Sequence, residues 1–264
     1  MEHSLDKLIA HNVSLLKAAG VSDLYKKTES TSPTEYLALL ASVEASIGNT
    51  PYRYVPSSFG GDEKTLGIPR SLEWKWTTLE RTLRLWQSRM VLNFMPPFWQ
   101  VESSLQRACR AVGAPFFSVQ PNNLPLASVA AIELQVDTAV VEAKEAEAAA
   151  AYFMQKKCPL PKHWLLVHAA QGVRIVPSSF SAQSVAHEVH LFPGICILTQ
   201  CVLAEKGATL KFHLSPSYIQ ELSEEKTLIT SAGDDPLPFI RYELPFALIP
   251  QGNCPCGAEA FSIK

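Results

Sequence analysis

The sequence predicts an α+β protein, in which an N-terminal helical region is followed by a mainly antiparallel β domain, either a sandwich or a strongly bent sheet. Up to about residue 157 the apolar residues recur every three or four positions, which is the period of an amphipathic helix. After Cys158-Pro159-Leu160-Pro161 they come in short runs or alternate, as they do in strands. The connections between these strands are short and show no βαβ rhythm, which favours antiparallel pairing. We therefore predict two domains, residues 1–157 and 158–264.

The first domain is expected to contain about five helices. The first spans residues 4–19, where the apolar side chains share one face. The second begins at Ser32-Pro33-Thr34-Glu35, a capping box with proline at the first helical position, and ends near Gly48. Residues 49–70 are rich in proline and glycine and predict a loop longer than most connections. Such a loop either wraps the surface or contacts a partner.

The third helix has the most regular pattern in the sequence, and it is predicted over residues 72–94. Its apolar residues form one continuous stripe: Leu72, Trp76, Leu79, Leu83, Trp86, Met90 and Phe94. Pro96-Pro97 ends this helix, and a fourth is predicted over residues 98–112. The fifth is predicted from about Leu126 to Lys157, because its middle is rich in alanine, the best helix former.

Some six to eight strands are predicted in the second domain. They are expected within residues 163–168, 172–176, 185–191, 195–203, 210–214, 227–230 and 239–249. Ser215-Pro216 resembles a helix start, so a short helix is predicted near residues 216–222. The chain then closes in an irregular tail.

Composition excludes several classes of protein. Hydrophobic residues make up 47% of the 264, which is enough to build a core and argues against disorder. The net charge of −2 does not favour nucleic-acid binding, which usually needs a basic surface. No apolar run is long enough to span a membrane, and no secretory signal is visible. The six cysteines show no disulfide spacing, so we expect reduced thiols in a soluble, intracellular protein.

Histidine, glutamate and cysteine supply the candidate metal ligands. His187, Glu188 and His190 lie on one predicted strand, with His168 and His213 on neighbouring strands. Successive side chains of a strand point to opposite faces, so only Glu188 and His190 can share a face.

Cysteine pairs offer a weaker metal signal. Cys254-Pro255-Cys256 could supply two thiolates, but strong zinc signatures use two such pairs. The serine-nucleophile and phosphate-loop motifs are absent. The sequence therefore predicts no cofactor and no catalytic residue.

The leading interpretation is a non-catalytic, structural or interaction subunit of a larger intracellular assembly with other protein subunits. Respiratory, ATP-synthase, secretion and ribonucleoprotein assemblies all remain open. Residues 70–110 are predominantly basic and residues 128–151 predominantly acidic, so one of these faces could dock a partner. The candidate contact residues are Trp74, Arg81, Arg84, Arg89, Cys254 and Cys256.

Two alternatives stay open. One is an enzyme or a small-ligand or metal-binding protein with its site in the β domain, where the candidates are His168, Glu188, His190 and His213. The other is an RNA-binding accessory protein that uses the basic helix at residues 72–94. The sequence identifies neither a substrate nor a small-molecule ligand.

Overall fold

The computed structural model describes residues 2–18, 30–32, 35–36, 56–57, 66–67, 77–96, 101–171, 173, 184–191, 195–203, 210–223, 225–232 and 238–264. The chain forms two compact units, which are treated separately below. The first comprises residues 1–74, 214–253 and 259–264, and the second comprises residues 75–213 and 254–258. The predicted division of the chain at residue 158 stays a prediction.

Helices and strands occur in both halves of the sequence, and the α+β class is confirmed. The helices among the described residues are α1 (Glu2–Ala18), α2 (Thr77–Trp86), α3 (Val101–Val112), α4 (Leu124–Glu133) and α5 (Ala143–Gln155). The strands are β1 (Pro56–Ser57), β2 (Leu66–Gly67), β3 (Val91–Asn93), β4 (Phe116–Ser118), β5 (Thr138–Glu142), β6 (His163–Ala169), β7 (Ser184–His190), β8 (Cys196–Gln200), β9 (Phe212–Leu214), β10 (Tyr218–Leu222), β11 (Thr227–Ser231), β12 (Tyr242–Glu243), β13 (Leu248–Asn253) and β14 (Glu259–Ile263).

The first unit contains α1 and three sets of antiparallel strands, β1–β2, β10–β11–β12 and β13–β14. Its core includes three buried aromatic rings. The ring centroid of Tyr36 lies 4.7 Å from that of Phe239 and 5.5 Å from that of Tyr242. The predicted capping box precedes Tyr36: the Ser32 amide donates to the Glu35 carboxylate at 2.8 Å, and the Glu35 amide donates to Ser32 Oγ at 3.2 Å. The remainder of that predicted helix lies outside the described residues.

The second unit is built on a mixed sheet with the strand order β9-β8-β7-β6-β5-β3-β4. Five strands pair in parallel with one another, in the order β4, β3, β5, β6 and β7. Strand β8 pairs antiparallel with the other side of β7. Helices α3, α4 and α5 connect successive parallel strands, so βαβ units do occur. Within residues 158–264 the pairings are mainly antiparallel, as predicted, and the β6–β7 pair is the parallel exception.

The predicted fifth helix is wrong because a buried strand interrupts it. Helix α4 ends before Gln135, which has a positive φ of 52°, and β5 follows. The run Thr138–Glu142 is rich in β-branched residues, which suit a strand. Strand β5 pairs with β3 on one side and β6 on the other, and four of its five residues are buried. Burial in a parallel sheet removes the alternation that marks a strand in sequence.

The third helix is also shorter than predicted. Helix α2 ends at Trp86, and Gln87 follows with a φ of 52°. Asp137 then accepts hydrogen bonds from the backbone amides of Arg89 and Met90 at 3.0 to 3.3 Å, and β3 begins at the next residue. The apolar stripe extended across this break because the buried strand β3 happens to continue the helical spacing.

The short helix predicted near residues 216–222 is wrong, because this segment is strand β10. The Tyr218 amide donates to the Ser215 carbonyl at 3.0 Å, so the serine and proline form a turn. Tyr218–Leu222 then pairs residue by residue with β11. The strand partner, which local sequence does not reveal, decides the conformation here.

The core of the second unit lies between the parallel strands and the helices that connect them. Trp164, Phe94 and Phe153 are its largest fully buried side chains. The indole Nε1–H of Trp164 donates to the Pro161 carbonyl at 3.0 Å, so the buried polar group is satisfied. This packing fixes the ends of β3, β5 and β6. Among the described residues, no helix combines the length and the apolar character that a bilayer crossing demands.

Candidate functional site

Polar side chains meet at the carboxyl ends of β3 and β4. The Asn93 amide donates to Ser118 Oγ at 3.2 Å, and the Ser118 hydroxyl donates to the Glu102 carboxylate at 3.1 Å. Strand β4 pairs on one side of β3, and the following strand β5 pairs on the other side. The strand order therefore reverses at β3/β5, which is a topological switch point. Open α/β sheets bind ligands at such points. Sequence reasoning missed these residues because it placed Asn93 inside a helix.

A second polar group lies near the carboxyl ends of β6 and β7. His168 Nε2 lies 2.8 Å from His187 Nδ1, and the two imidazoles share one face of the sheet. Burial lowers the pKa of His168 to about 3, with added repulsion from His187 and His190, and burial lowers the pKa of His187 to about 4. Both rings are therefore neutral at pH 7, and one can donate a hydrogen bond to the other.

Glu188 and His190 occupy the opposite face of the same strand, as the strand alternation predicted. The Glu188 carboxylate lies 3.1 Å from His190 Nε2, and both side chains are buried. The Cys196 thiol completes a group of three possible ligands. Burial raises the pKa of Cys196 well above its ordinary value, and the Glu188 carboxylate raises it further. A thiol held protonated is a poor nucleophile.

The most concentrated set of metal-ligand types is a separate group of four residues, which we call the thiol cluster. It consists of Cys201, His213, Cys254 and Cys256, whose ligand atoms all lie within 4.8 Å of one another. All four residues belong to the second unit. Cys201 follows β8 directly, His213 is the middle residue of β9, and the remaining two cysteines lie in the turn between β13 and β14. Sequence reasoning recognised His213 and the cysteine pair separately but did not bring them together.

Hydrogen bonds shape the thiol cluster. His213 Nε2 lies 3.3 Å from Cys256 Sγ. Burial acts to raise the pKa of Cys256, but hydrogen bonds from the Ala258 backbone and the thiols of Cys254 and Cys201 leave it below its ordinary value. Burial, together with the hydrogen bond to Cys254, raises the pKa of Cys201 to about 11. The same neighbouring thiols therefore shift the pKa values of Cys201 and Cys256 in opposite directions.

The predicted contact residues outside this cluster are scattered. Trp74 lies outside the described residues. Arg81 and Arg84 are exposed on α2, where Arg84 pairs with Glu80 at 2.6 Å. Arg89 is exposed but follows the helix, so the basic stretch is not one continuous helical face. A docking or RNA-binding role for these arginines stays a prediction.

No protein-family model matches the chain, and no curated protein matches it either. Several solved structures do match the chain. The chain is similar to 2-hydroxyisobutyryl-CoA ligase in an open conformation with 2-HIB-AMP and CoA, with a TM-score of 0.65 and 10% identity over 97% of this chain and 70% of that one. It is similar to the same ligase in the thioesterification state with a TM-score of 0.68 and 9% identity, covering 99% of this chain and 66% of the ligase chain. At this level of identity the likeness shows the fold alone.

This fold contradicts the prediction of a non-catalytic assembly subunit, because the chain shares it with enzymes. The prediction relied on missing motifs together with surface features that could contact a partner, and neither of these reveals a fold. The finding favours the alternative of an enzyme or small-ligand-binding protein. Its candidate residues divide between two places: His168, Glu188 and His190 near the ends of β6 and β7, and His213 in the thiol cluster.

Proposed function

We propose that the chain is an acyl-adenylate-forming enzyme, which activates a carboxylic acid with ATP. The carboxylate oxygen attacks the α-phosphorus of ATP, the bond to the β-phosphate breaks, and pyrophosphate leaves. The observation that carries this proposal is the shared fold: 97–99% of the chain aligns with a CoA ligase solved with an acyl adenylate. The chain spans 66–70% of the length of that ligase, so transfer of the acyl group to CoA is a separate question for experiment.

The carboxyl edge of the parallel strands supports an adenylate site. The switch point at β3 and β5 is where ligands of open α/β sheets bind. Ser118 is exposed at the carboxyl end of β4, which lies on the other side of β3 from β5. Glu102 is exposed beside it, and its carboxylate can accept hydrogen bonds from ribose hydroxyls. The Ser118 hydroxyl has a single hydrogen, which it donates to Glu102, so it can donate to a phosphate oxygen only after it rotates away from that carboxylate.

The first prediction concerns binding at this edge. A non-hydrolysable acyl-sulfamoyl-adenosine should bind the full-length chain, and isothermal titration calorimetry measures the affinity. Glu102→Gln should weaken binding about tenfold, because loss of a charge-assisted hydrogen bond costs about 1.5 kcal/mol. Glu133→Gln is the matched control. Glu133 is an exposed glutamate at the end of α4, and it precedes the amino end of β5, so it lies at the opposite edge of the sheet from the proposed site. This control should bind like the wild type.

Catalysis is measured separately by ATP–pyrophosphate exchange with a panel of carboxylic acids that includes 2-hydroxyisobutyrate. Exchange that depends on the acid supports the proposed reaction, and added CoA then tests for thioester formation. A chain that binds no adenylate analogue and catalyses no exchange would refute the proposal. Binding that Glu102→Gln and Glu133→Gln leave equally strong would place the site away from this edge.

A further inference from the structure

We propose that the thiol cluster is a structural zinc site, in which Cys201, His213, Cys254 and Cys256 bind one Zn²⁺ ion. The set of three cysteines and one histidine is one of the ligand sets of closed, four-coordinate zinc sites. The inference is independent of adenylate formation, because it uses none of the residues at the carboxyl edge of the parallel strands.

The distances suit a tetrahedral ion. With zinc–sulfur bonds of about 2.3 Å, ligand atoms at the corners of a tetrahedron lie ~3.8 Å apart. The four ligand atoms of the thiol cluster all lie within 4.8 Å of one another, and His213 Nε2 is already 3.3 Å from Cys256 Sγ. The ligand atoms therefore lie within about 1 Å of the spacing that a tetrahedral zinc ion requires.

The turn between β13 and β14 is built to aim two ligands at one point. The Gly257 amide donates to the Cys254 carbonyl at 2.8 Å, and the Cys254 amide donates to the Ala258 carbonyl at 2.8 Å. Gly257 has a φ of +86°, a conformation that L side chains rarely adopt. Pro255 lies between the two cysteines, and its ring fixes the φ angle at that position. The turn thus holds the Cys254 and Cys256 sulfur atoms in one group with the other two ligand atoms.

The number of ligands favours metal at this cluster over the other candidate. A closed zinc site uses four protein ligands, and the thiol cluster supplies four. Three thiolates and one Zn²⁺ ion leave a net charge of about −1. The group of Glu188, His190 and Cys196 supplies three possible ligands among the described residues. Zinc should therefore bind the thiol cluster when both groups are intact.

A structural role follows from the ligand count. Catalytic zinc sites keep one position for water or substrate, whereas four protein ligands leave none. The ligands come from three segments that are far apart in sequence, around residues 201, 213 and 254–256. An ion that joins them stabilises the folded chain, because the unfolded chain cannot preform the site.

The test measures metal on the full-length chain. After expression with zinc, the purified protein should carry about one zinc ion per chain by elemental mass spectrometry. Replacement with Co²⁺ should give a strong sulfur-to-cobalt charge-transfer band and the visible spectrum of a tetrahedral ion. The intensity of the band reports how many thiolates bind, and three are expected. Because this measurement uses the unmutated chain, it does not depend on whether any variant folds.

Variants then assign the ion. Cys254→Ser and His213→Gln should weaken zinc binding by more than the 10- to 100-fold that loss of an outer-shell partner typically costs. Cys158→Ser and Cys196→Ser are the controls, because they remove cysteines outside the thiol cluster and should keep zinc. A wild-type chain without zinc, a cobalt spectrum without thiolate bands, or zinc that is lost in Glu188→Gln but kept in Cys254→Ser would overturn the proposal.

Discussion

Two clusters of ionisable side chains in the second unit use the same residue types in opposite ways. The group around Glu188 and His190 comes mainly from one strand and is buried, and its neighbouring histidines His168 and His187 are held neutral. The thiol cluster comes from three separate segments, and its four ligand atoms all lie within 4.8 Å of one another.

The difference shows what decides whether potential ligands become a site. Neighbours on a strand can place only every second side chain on one face, so the three residues from His187 to His190 that could bind metal supply only two ligands to one face, Glu188 and His190. Segments that are distant in sequence can approach from several directions and surround an ion. The sequence made the first group conspicuous, although the second has the better chemistry for metal.

The largest effect should come from breaking the buried pair of the first group. Glu188→Ala removes the carboxylate that hydrogen-bonds the buried His190 imidazole, and loss of a buried hydrogen-bond partner costs about 1–3 kcal/mol. Urea unfolding followed by circular dichroism measures the free energy of unfolding. Glu147→Ala, at an exposed position on α5, should change it by less than ~0.5 kcal/mol. A loss below ~1 kcal/mol for Glu188→Ala would mean that the pair is solvated.

An intermediate effect should appear as pH dependence of stability. Burial lowers the folded pKa of His187 from 6.5 to about 4, so between these values the unfolded chain binds more protons than the folded one. This contribution to stability is complete above pH 6.5 and is lost as the pH falls toward 4, at up to about 1.4 kcal/mol per pH unit. As the pH is lowered from 7 to 5, the urea midpoint of unfolding should fall less steeply for His187→Gln than for the wild type.

The matched control for this titration is His11→Gln, because His11 is an exposed histidine in α1. It should leave the pH dependence of the wild type unchanged. If His187→Gln also leaves the slope unchanged, burial does not lower the pKa of this imidazole in the folded state, and the contrast between the two clusters fails.

The smallest effect should come from an exposed ion pair, which provides a baseline for both clusters. Arg84 and Glu80 lie four residues apart on α2 with an N–O distance of 2.6 Å, but the arginine side chain is 64% exposed. Arg84→Ala should therefore cost about 0.3–0.5 kcal/mol in a urea titration. High salt should reduce this cost further, because solvent ions screen exposed charges. A loss above ~1 kcal/mol would indicate that this face packs against a partner.

Local signals in the sequence predicted several parts of the structure correctly. The capping box at Ser32 and Glu35, helix α1, and the alternating strand β7 all depend on contacts between near neighbours. Helices α2 and α3 were found for the same reason, although α2 ends earlier than predicted.

The errors have two causes. Strands β3 and β5 are buried between parallel neighbours, so their apolar runs merge with the stripes of adjacent helices. A parallel neighbour comes from a distant part of the chain, so its influence leaves no periodic signal. Strand β10 follows a turn that resembles a helix start, and antiparallel pairing with β11, the next strand in the chain, makes it a strand.

The sequence by itself determined the α+β class, the mainly antiparallel character of residues 158–264, and the fact that Glu188 and His190 share a face. These follow from hydrophobic periodicity and from the alternation of side chains along a strand, which are local properties of the backbone. The tertiary structure alone decided the parallel strands at β3, β5 and β6, the polar group of Asn93, Ser118 and Glu102 at the ends of β3 and β4, and the convergence of Cys201, His213, Cys254 and Cys256. Those features depend on which distant segments pack together to bury apolar surface, and packing partners are a property of the whole chain.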